Sequence, residues 1–158
     1  MIIYKEGDVY LTEDVNIIFN PVGVRDKTGF IERVKILHPV VYEEYHERVW
    51  MYSINEILAD IQIVCINNNQ CMFNAFCKDK EGKVNKLALC KTLIELCNLC
   101  HEYNLSVGIE RSLGVRDKYE KKWIDIIIEE IFKDSNTDIY IYKRKCTKHN
   151  RKGKKPRP

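Results

Sequence analysis

The sequence of 158 residues lacks any apolar run that approaches the roughly 18–20 residues of a membrane-spanning helix. It also lacks an N-terminal basic region followed by an apolar stretch and a small-residue cleavage site, so we expect no secretion and a cytoplasmic location. With 45% apolar and 31% charged residues, the composition is typical of a soluble globular protein. The length suits one domain that buries about two-thirds of its unfolded surface.

Disulfide bonds are not expected, although the chain contains seven cysteines. Their number is odd, and Cys65, Cys90, Cys97 and Cys100 lie in apolar runs, which favours buried, reduced thiols. Cys97, Cys100 and His101 also match the haem-attachment pattern C-x-x-C-H, and Cys90 would complete a set of four zinc ligands. Because the segment is part of an amphipathic helical pattern, packing in the core is the preferred interpretation. We therefore expect no metal and no cofactor.

Acidic residues are absent from residue 143 onward, where the chain is strongly basic. The tail, 143–158, carries a charge of +9, and the remaining 142 residues carry 17 basic and 23 acidic groups, or −6. The basic residues are Lys143, Arg144, Lys145, Lys148, Arg151, Lys152, Lys154, Lys155 and Arg157. The tail has too little apolar surface to be ordered by burial, so we predict a domain at 1–142 with an appended arm. The arm either neutralises nucleic-acid phosphates or is a solvated segment that aids solubility; it lacks the aromatic residues of a stacking surface.

The apolar periodicity predicts strands and helices in the order ββααββαβαβ. The predicted strands are 1–5, 16–19, 61–66, 71–76, 105–109 and 138–142. Two helices are predicted to begin near Gly29 and Pro39, a long one covers 84–103, and a last one contains Trp123. Helices inserted between apolar strands indicate a three-layer α/β domain, with a mixed, partly parallel sheet flanked by helices on both faces.

The pentapeptide Gly-Val-Arg-Asp-Lys occurs twice, at 23–27 and at 114–118, each time between a buried strand and an amphipathic helix. Glycine lets a ligand approach the backbone, the free N–H groups of a helix start favour anions, and Arg and Lys add positive charge. Ligands of such sheets bind beyond the carboxyl ends of the strands. The repeat therefore predicts a phosphate-bearing ligand between the two loops. The alternative is a coincidence of two solvated turns.

Several segments together resemble the macro domain, particularly its short phage and bacterial branch of ADP-ribose-1″-phosphate phosphatase-like proteins. The resemblance covers most of residues 1–142. The matching segments are Tyr4-Lys5-Glu6-Gly7-Asp8-Val9, Asp14 to Asn20, His38 to Tyr45, Leu58 to Val64, Phe73 to Phe76, Ser106 to Ile109, Leu113-Gly114 and Trp123-Ile124.

The resemblance implies an ADP-ribose site. Asp8 would accept a hydrogen bond from the adenine amine, the loop from Asn20 to Phe30 would hold the distal ribose, and the loop from Ser112 to Arg116 would wrap the diphosphate. The implied ligand-binding residues are Asp8, Val9, Asn20, Gly23, Val24, Arg25, Gly29, Phe30, Ser112, Leu113, Gly114, Val115 and Arg116. The sequence departs from the family pattern because both loops have few glycines and the family's asparagine near Gly23 is absent.

Three functions are compatible with this sequence. The first is a binding module for an ADP-ribose-related nucleotide. The second is an enzyme, an ADP-ribose-1″-phosphate phosphatase or ADP-ribosyl hydrolase, for which Asp26 and Asp117 are the loop acids placed to act as a general base. The third is a protein-interaction module, encoded by a phage, that no longer binds the ligand. We favour the first and assign no catalytic residue.

Overall fold

The computed structural model describes residues 1–24, 29–52 and 54–144. Its elements follow the predicted alternation of strands and helices. The strands are β1 (Ile2–Glu6), β2 (Ile17–Val22), β3 (Ile61–Asn67), β4 (Gln70–Phe76), β5 (Val107–Glu110) and β6 (Ile139–Lys143). The helices are α1 (Gly29–Leu37), α2 (Pro39–Met51), α3 (Ile54–Ile57), α4 (Lys86–Tyr103) and α5 (Lys118–Phe132), and a 3₁₀ turn (Arg111–Gly114) joins β5 to α5.

The six strands form one mixed sheet in the order β1-β6-β5-β2-β4-β3. β3 is antiparallel to β4, with which it forms a hairpin, and every other neighbouring pair is parallel. The predicted mixed, partly parallel sheet is therefore confirmed. Because β2 and β5 are parallel neighbours, the loops that follow them leave the same edge of the sheet, where ligands of such folds bind.

Apolar side chains fill both faces of the sheet. In β2, Ile17 and Phe19 belong to the core cluster beneath α4 and α5, while Ile18 and Val22 belong to the cluster beneath α1 and α2. This alternation follows the two-residue pleat of a strand. Every residue of β2 is buried, as expected for a central strand covered on both faces. The three-layer arrangement is thus confirmed.

Helix α4 ends at Tyr103, as predicted, and begins two residues later than predicted, at Lys86. The side chain of Asn85 accepts a hydrogen bond from the backbone N–H of Ala88 at 3.0 Å, which caps the first turn. Asn104 has the left-handed conformation, with φ of 55°, as a C-cap residue. The sequence did not predict the four-residue helix α3 or the 3₁₀ turn, because neither is long enough to show a repeating apolar pattern.

The prediction of buried cysteines is wrong for Cys65, which is exposed on the edge strand β3. Cys90 and Cys97 are half-buried and Cys100 is buried. Burial, assisted by the neighbouring thiols of Cys97 and Cys71, raises the pKa of Cys100 to about 12. The six cysteines that the structure describes form no disulfide. Within the same described ranges, no three His, Cys, Asp or Glu side chains come together to hold a metal ion, and no helix is long and apolar enough to cross a membrane.

Candidate functional site

A cavity of about 550 Å³ opens beyond the carboxyl ends of β5 and β6. Five residues of the predicted ligand site line it: Phe30, Ser112, Gly114, Val115 and Arg116. The other described lining residues are Glu110, Arg111, Lys121, Asp125, Tyr142, Lys143 and Arg144. Five of the twelve lining residues are Lys or Arg and two are acidic, so the cavity attracts anions.

The turn after β5 has an unusual backbone. Ser112, Leu113 and Gly114 have φ angles of 54°, 51° and 71°, so three consecutive residues lie in the left-handed region. Each non-glycine residue there costs roughly 1–2 kcal/mol, which the surroundings must offset. The Ser112 hydroxyl lies 3.0 Å from both carboxylate oxygens of Asp125 and donates to this carboxylate, and the side chain of Leu113 is buried. The turn is held in a strained shape beside the cavity, as is common at ligand sites.

Asp117 begins the helix that follows this turn. Its carboxylate accepts a hydrogen bond from the backbone N–H of Glu120 at 2.9 Å, so it caps the first turn of α5. Arg116, the residue before it, lines the cavity. The structure therefore gives Asp117 a role in starting the helix and places it outside the described lining of the cavity. Asp26, the other candidate base, and Arg25 lie outside the described residues.

Phe30, near the start of α1, packs on the glycine of the second loop. A Cβ at Gly114 would lie 2.3 Å from Phe30 Cζ, so the ring rests directly on the glycine. The same ring is 5.6 Å from the Tyr10 ring, centroid to centroid, and the Lys78 ammonium lies 5.6 Å from its centroid. Phe30 thus lies between Gly114 and Lys78, the residue that packs on Gly23, and forms part of the wall of the cavity.

Apart from Phe30, the predicted residues of the first loop that the structure describes are not in the lining of the cavity. Asn20 is fully buried and donates to the Asn74 side chain at 2.8 Å, while it accepts from the Tyr10 hydroxyl at 2.9 Å. Gly23 is buried against Lys78, whose Cβ would be 3.1 Å from a Cβ at position 23. None of the other predicted residues in this part of the chain, Val9, Val24 and Gly29, is in the described lining, and of Gly29 only its place at the start of α1 is described.

Four charged side chains of alternating sign form a row of ion pairs at the site, in the order Arg33, Asp8, Arg144 and Glu110. The Asp8 carboxylate pairs with the Arg33 guanidinium and lies 3.9 Å from Arg144 Nη2. Arg144 Nε in turn lies 3.5 Å from Glu110 Oε1. Burial raises the pKa of Glu110, while Arg144 and Arg33 oppose this shift. The pKa of Arg33 is lowered by burial and by Arg144.

This charged group was only partly visible in the sequence. Asp8 was predicted as the adenine contact, and Arg144 was assigned to the tail. Arg33 and Glu110 were missed, although Glu110 is an acid that directly follows the apolar strand residues Val107 to Ile109, which is a recognisable signal. Of the nine basic residues assigned to the tail, Lys143 and Arg144 lie at the cavity, and the other seven lie outside the described chain.

Comparison with solved structures defines the class of the fold. No protein-family model matches the sequence, and no curated protein matches it. The macrodomain of Thermus aquaticus DarG superposes with a TM-score of 0.73 and 15% identity, over 90% of this chain and 97% of that one. A macrodomain protein from Streptomyces coelicolor gives a TM-score of 0.73 and 16% identity, over 90% of this chain and 98% of that one.

A third match is the Thermosipho africanus DarTG structure in complex with ADP-ribose. It has a TM-score of 0.70 and 12% identity, over 90% of this chain and 41% of that one. The protein described here has the fold of a macro domain, as the resemblance of its sequence implied. Its assignment to the phage and phosphatase-like branch stays a prediction.

Proposed function

We propose that the chain is a binding module for an ADP-ribose-related nucleotide. The observation that carries the proposal is the cationic cavity beside the strained 3₁₀ turn, at the edge of the sheet where α/β folds bind ligands. The Thermosipho africanus DarTG structure, 41% of which superposes on this chain, is a complex with ADP-ribose, which supports this choice of ligand. The phosphates would lie on the turn at Ser112 to Arg116, because successive backbone N–H groups in such turns can form a concave surface that binds anions.

The remaining predicted contacts follow from that placement. Arg116 would pair with a phosphate, and the base would lie toward Asp8. Arg33 and Arg144 already engage the Asp8 carboxylate, so a base amine would share this acceptor with two guanidinium groups. Arg25 stays a proposed phosphate contact on the strength of the sequence alone. The buried residues Asn20 and Gly23 would support the site without touching the ligand.

Calorimetry with ADP-ribose and related nucleotides tests the proposal. Arg116→Ala should weaken binding about tenfold or more, because a charge-assisted hydrogen bond to phosphate is lost. Lys91→Ala is the matched control, since Lys91 is an exposed cation on α4 outside the lining of the cavity, and it should leave the affinity unchanged. Absence of binding by the unmodified protein below about millimolar nucleotide would refute the proposal.

A second candidate function, protein interaction, has an observation of its own in helix α2. Trp50 is 83% exposed, and its ring is tilted against that of His46 at a centroid distance of 6.5 Å. His46 in turn stacks on Tyr42, with ring centroids 5.8 Å apart. Large exposed aromatic surfaces on a monomer often mark interaction sites. Glu43 and Glu47 lie beside the rings, so a partner surface that carries Lys or Arg would be complementary. Trp50→Ala should abolish co-purification of a defined partner, and Tyr103→Ala, which alters another exposed aromatic, should not.

Hydrolysis stays the third candidate and gains no specific support. The carboxylate of Asp117 is engaged as a helix cap. If the unmodified protein hydrolysed ADP-ribose-1″-phosphate and Asp26→Ala did not, the result would support the hydrolase function.

A further inference from the structure

Glu110 belongs to the wall of a cavity, and one of its carboxylate oxygens is buried without a hydrogen-bond partner among the described residues. The residue is 7% exposed and lines the cavity beyond β5 and β6. Its Oε1 atom makes no hydrogen bond among the described residues. Arg144 Nε lies 3.5 Å away, close enough to pair electrostatically with Oε1 but without the geometry of a hydrogen bond. A buried acceptor in this state is costly, and the cost is recovered when a donor binds to it.

The position of Glu110 restricts the chemistry of that donor. On one side, Glu110 Oε2 would lie 2.8 Å from a Cβ at Gly114, so the carboxylate adjoins the turn proposed to hold phosphate. On the other side, Arg144 approaches both Glu110 and Asp8, at 3.5 Å and 3.9 Å. Glu110 therefore lies between the proposed phosphate position and the proposed position of the base. In a nucleotide, the group between base and first phosphate is the sugar.

We propose that Glu110 is a specificity residue that recognises the ribose of the bound nucleotide, with Oε1 accepting a hydrogen bond from a ribose hydroxyl. This inference rests on the proposed function, since it assumes a nucleotide in the cavity. An ionised carboxylate only accepts hydrogen bonds, so it suits a hydroxyl and repels a phosphate oxygen. Arg144 and Arg33 supply the positive charge that keeps a carboxylate tolerable at this depth.

Calorimetry with three ligands tests the inference: ADP-ribose and its analogues that lack the 2′ or the 3′ hydroxyl of the adenosine ribose. The unmodified protein should bind at least one analogue about tenfold or more weakly than ADP-ribose, because a site built around a hydroxyl leaves its acceptor unpaired when the hydroxyl is missing. Glu110→Ala should bind ADP-ribose more weakly and lose the discrimination between ligands. Glu110→Gln, which keeps an acceptor oxygen in the same place, should retain part of the discrimination.

A control and a second readout separate recognition from folding. Glu95→Ala removes an exposed glutamate on α4 and should discriminate as the unmodified protein does. Thermal unfolding of each variant shows whether it is folded, and Glu110→Gln serves if Glu110→Ala does not fold. Equal affinity of the unmodified protein for all three ligands, or discrimination that persists without Glu110, would overturn the inference and leave the proposed function standing. Failure of the unmodified protein to bind ADP-ribose at all would overturn both.

Discussion

The two copies of the pentapeptide have the same five residues, but their first residues, Gly23 and Gly114, lie in different surroundings. Gly23 is buried, has no positive φ, and packs against the backbone and Cβ of Lys78. Gly114 is exposed and has φ of 71°. The ring of Phe30 occupies the space that a Cβ at this position would need. Both follow parallel neighbouring strands, yet only the second lines the cavity among the described residues.

The flanking strands cause this difference. β2 continues to Val22, directly before the first glycine, and the backbone N–H of Lys78 donates to Val22 O at 3.2 Å, so the strand edge encloses Gly23. β5 ends at Glu110, and the second glycine is the last residue of the 3₁₀ turn that follows the strand. The same pentapeptide can therefore adopt different backbone conformations and degrees of burial. The neighbouring strands determine which conformation each copy has.

The largest loss of stability is expected when Gly114 is replaced by alanine, and the same change at Gly23 is the comparison. Gly114→Ala combines a left-handed backbone with a Cβ 2.3 Å from Phe30 Cζ and 2.8 Å from Glu110 Oε2. We expect a loss of about 2–4 kcal/mol in the free energy of unfolding, from backbone strain and overpacking together. Gly23→Ala meets its nearest atom at 3.1 Å without a positive φ, and should cost less than about 1.5 kcal/mol. Urea denaturation of both variants measures the difference, and equal losses would contradict the contrast.

The next effect concerns the polar chain beneath the first glycine. Asn74 accepts from Asn20 at 2.8 Å and donates to Gln62 at 3.1 Å inside the sheet. Asn74→Ala leaves buried partners unpaired and should lower the free energy of unfolding by about 1–3 kcal/mol. Asn69→Ala, at an exposed turn, is the control and should change it by less than about 0.5 kcal/mol. If Asn74→Ala left the free energy of unfolding unchanged, these hydrogen-bonded amides would not stabilise the segment beneath the first glycine.

A smaller effect should follow removal of the helix cap in the second pentapeptide. Asp117→Ala should cost about 1 kcal/mol of stability, because the N–H of Glu120 loses its acceptor. Asp117→Asn retains a capping oxygen and should cost less. Nucleotide affinity, measured by calorimetry, should be unchanged in both variants. A large loss of affinity with unchanged stability would instead assign Asp117 to the ligand site.

The smallest predicted effect is a dependence of stability on pH from Glu110, beside the second glycine. Because burial raises the pKa of this carboxyl above its ordinary value of 4.5, the folded chain holds the proton more strongly than the unfolded chain. The stabilising contribution is complete below pH 4.5 and is lost as pH rises through the raised pKa. Denaturation of the unmodified protein and of Glu110→Gln across this range should show the unmodified protein losing stability relative to the variant. A constant difference would refute the shift.

The sequence predicted the elements of this fold better than the site. The order of the main elements along the chain and the burial of β2 on both faces follow from the local apolar pattern, which is a property of short segments. The contact of Phe30 with Gly114 joins residues 84 positions apart, and the pairing of Asp8 with Arg33 and Arg144 joins three elements. No local pattern contains such contacts. For the same reason the sequence did not predict that the ring of Phe30 packs on the glycine of the second loop.

The place of Arg144 has a practical consequence for experiments on the basic arm. Lys143 is paired with Glu6 in the sheet, and its carbonyl accepts from the N–H of Gly7 at 2.9 Å. A chain shortened to 142 residues would lose this edge pairing together with the guanidinium between Asp8 and Glu110. Any change in nucleic-acid affinity would then be confounded with damage to the domain. Truncation directly after Arg144 removes seven of the nine arm cations and leaves every described contact intact.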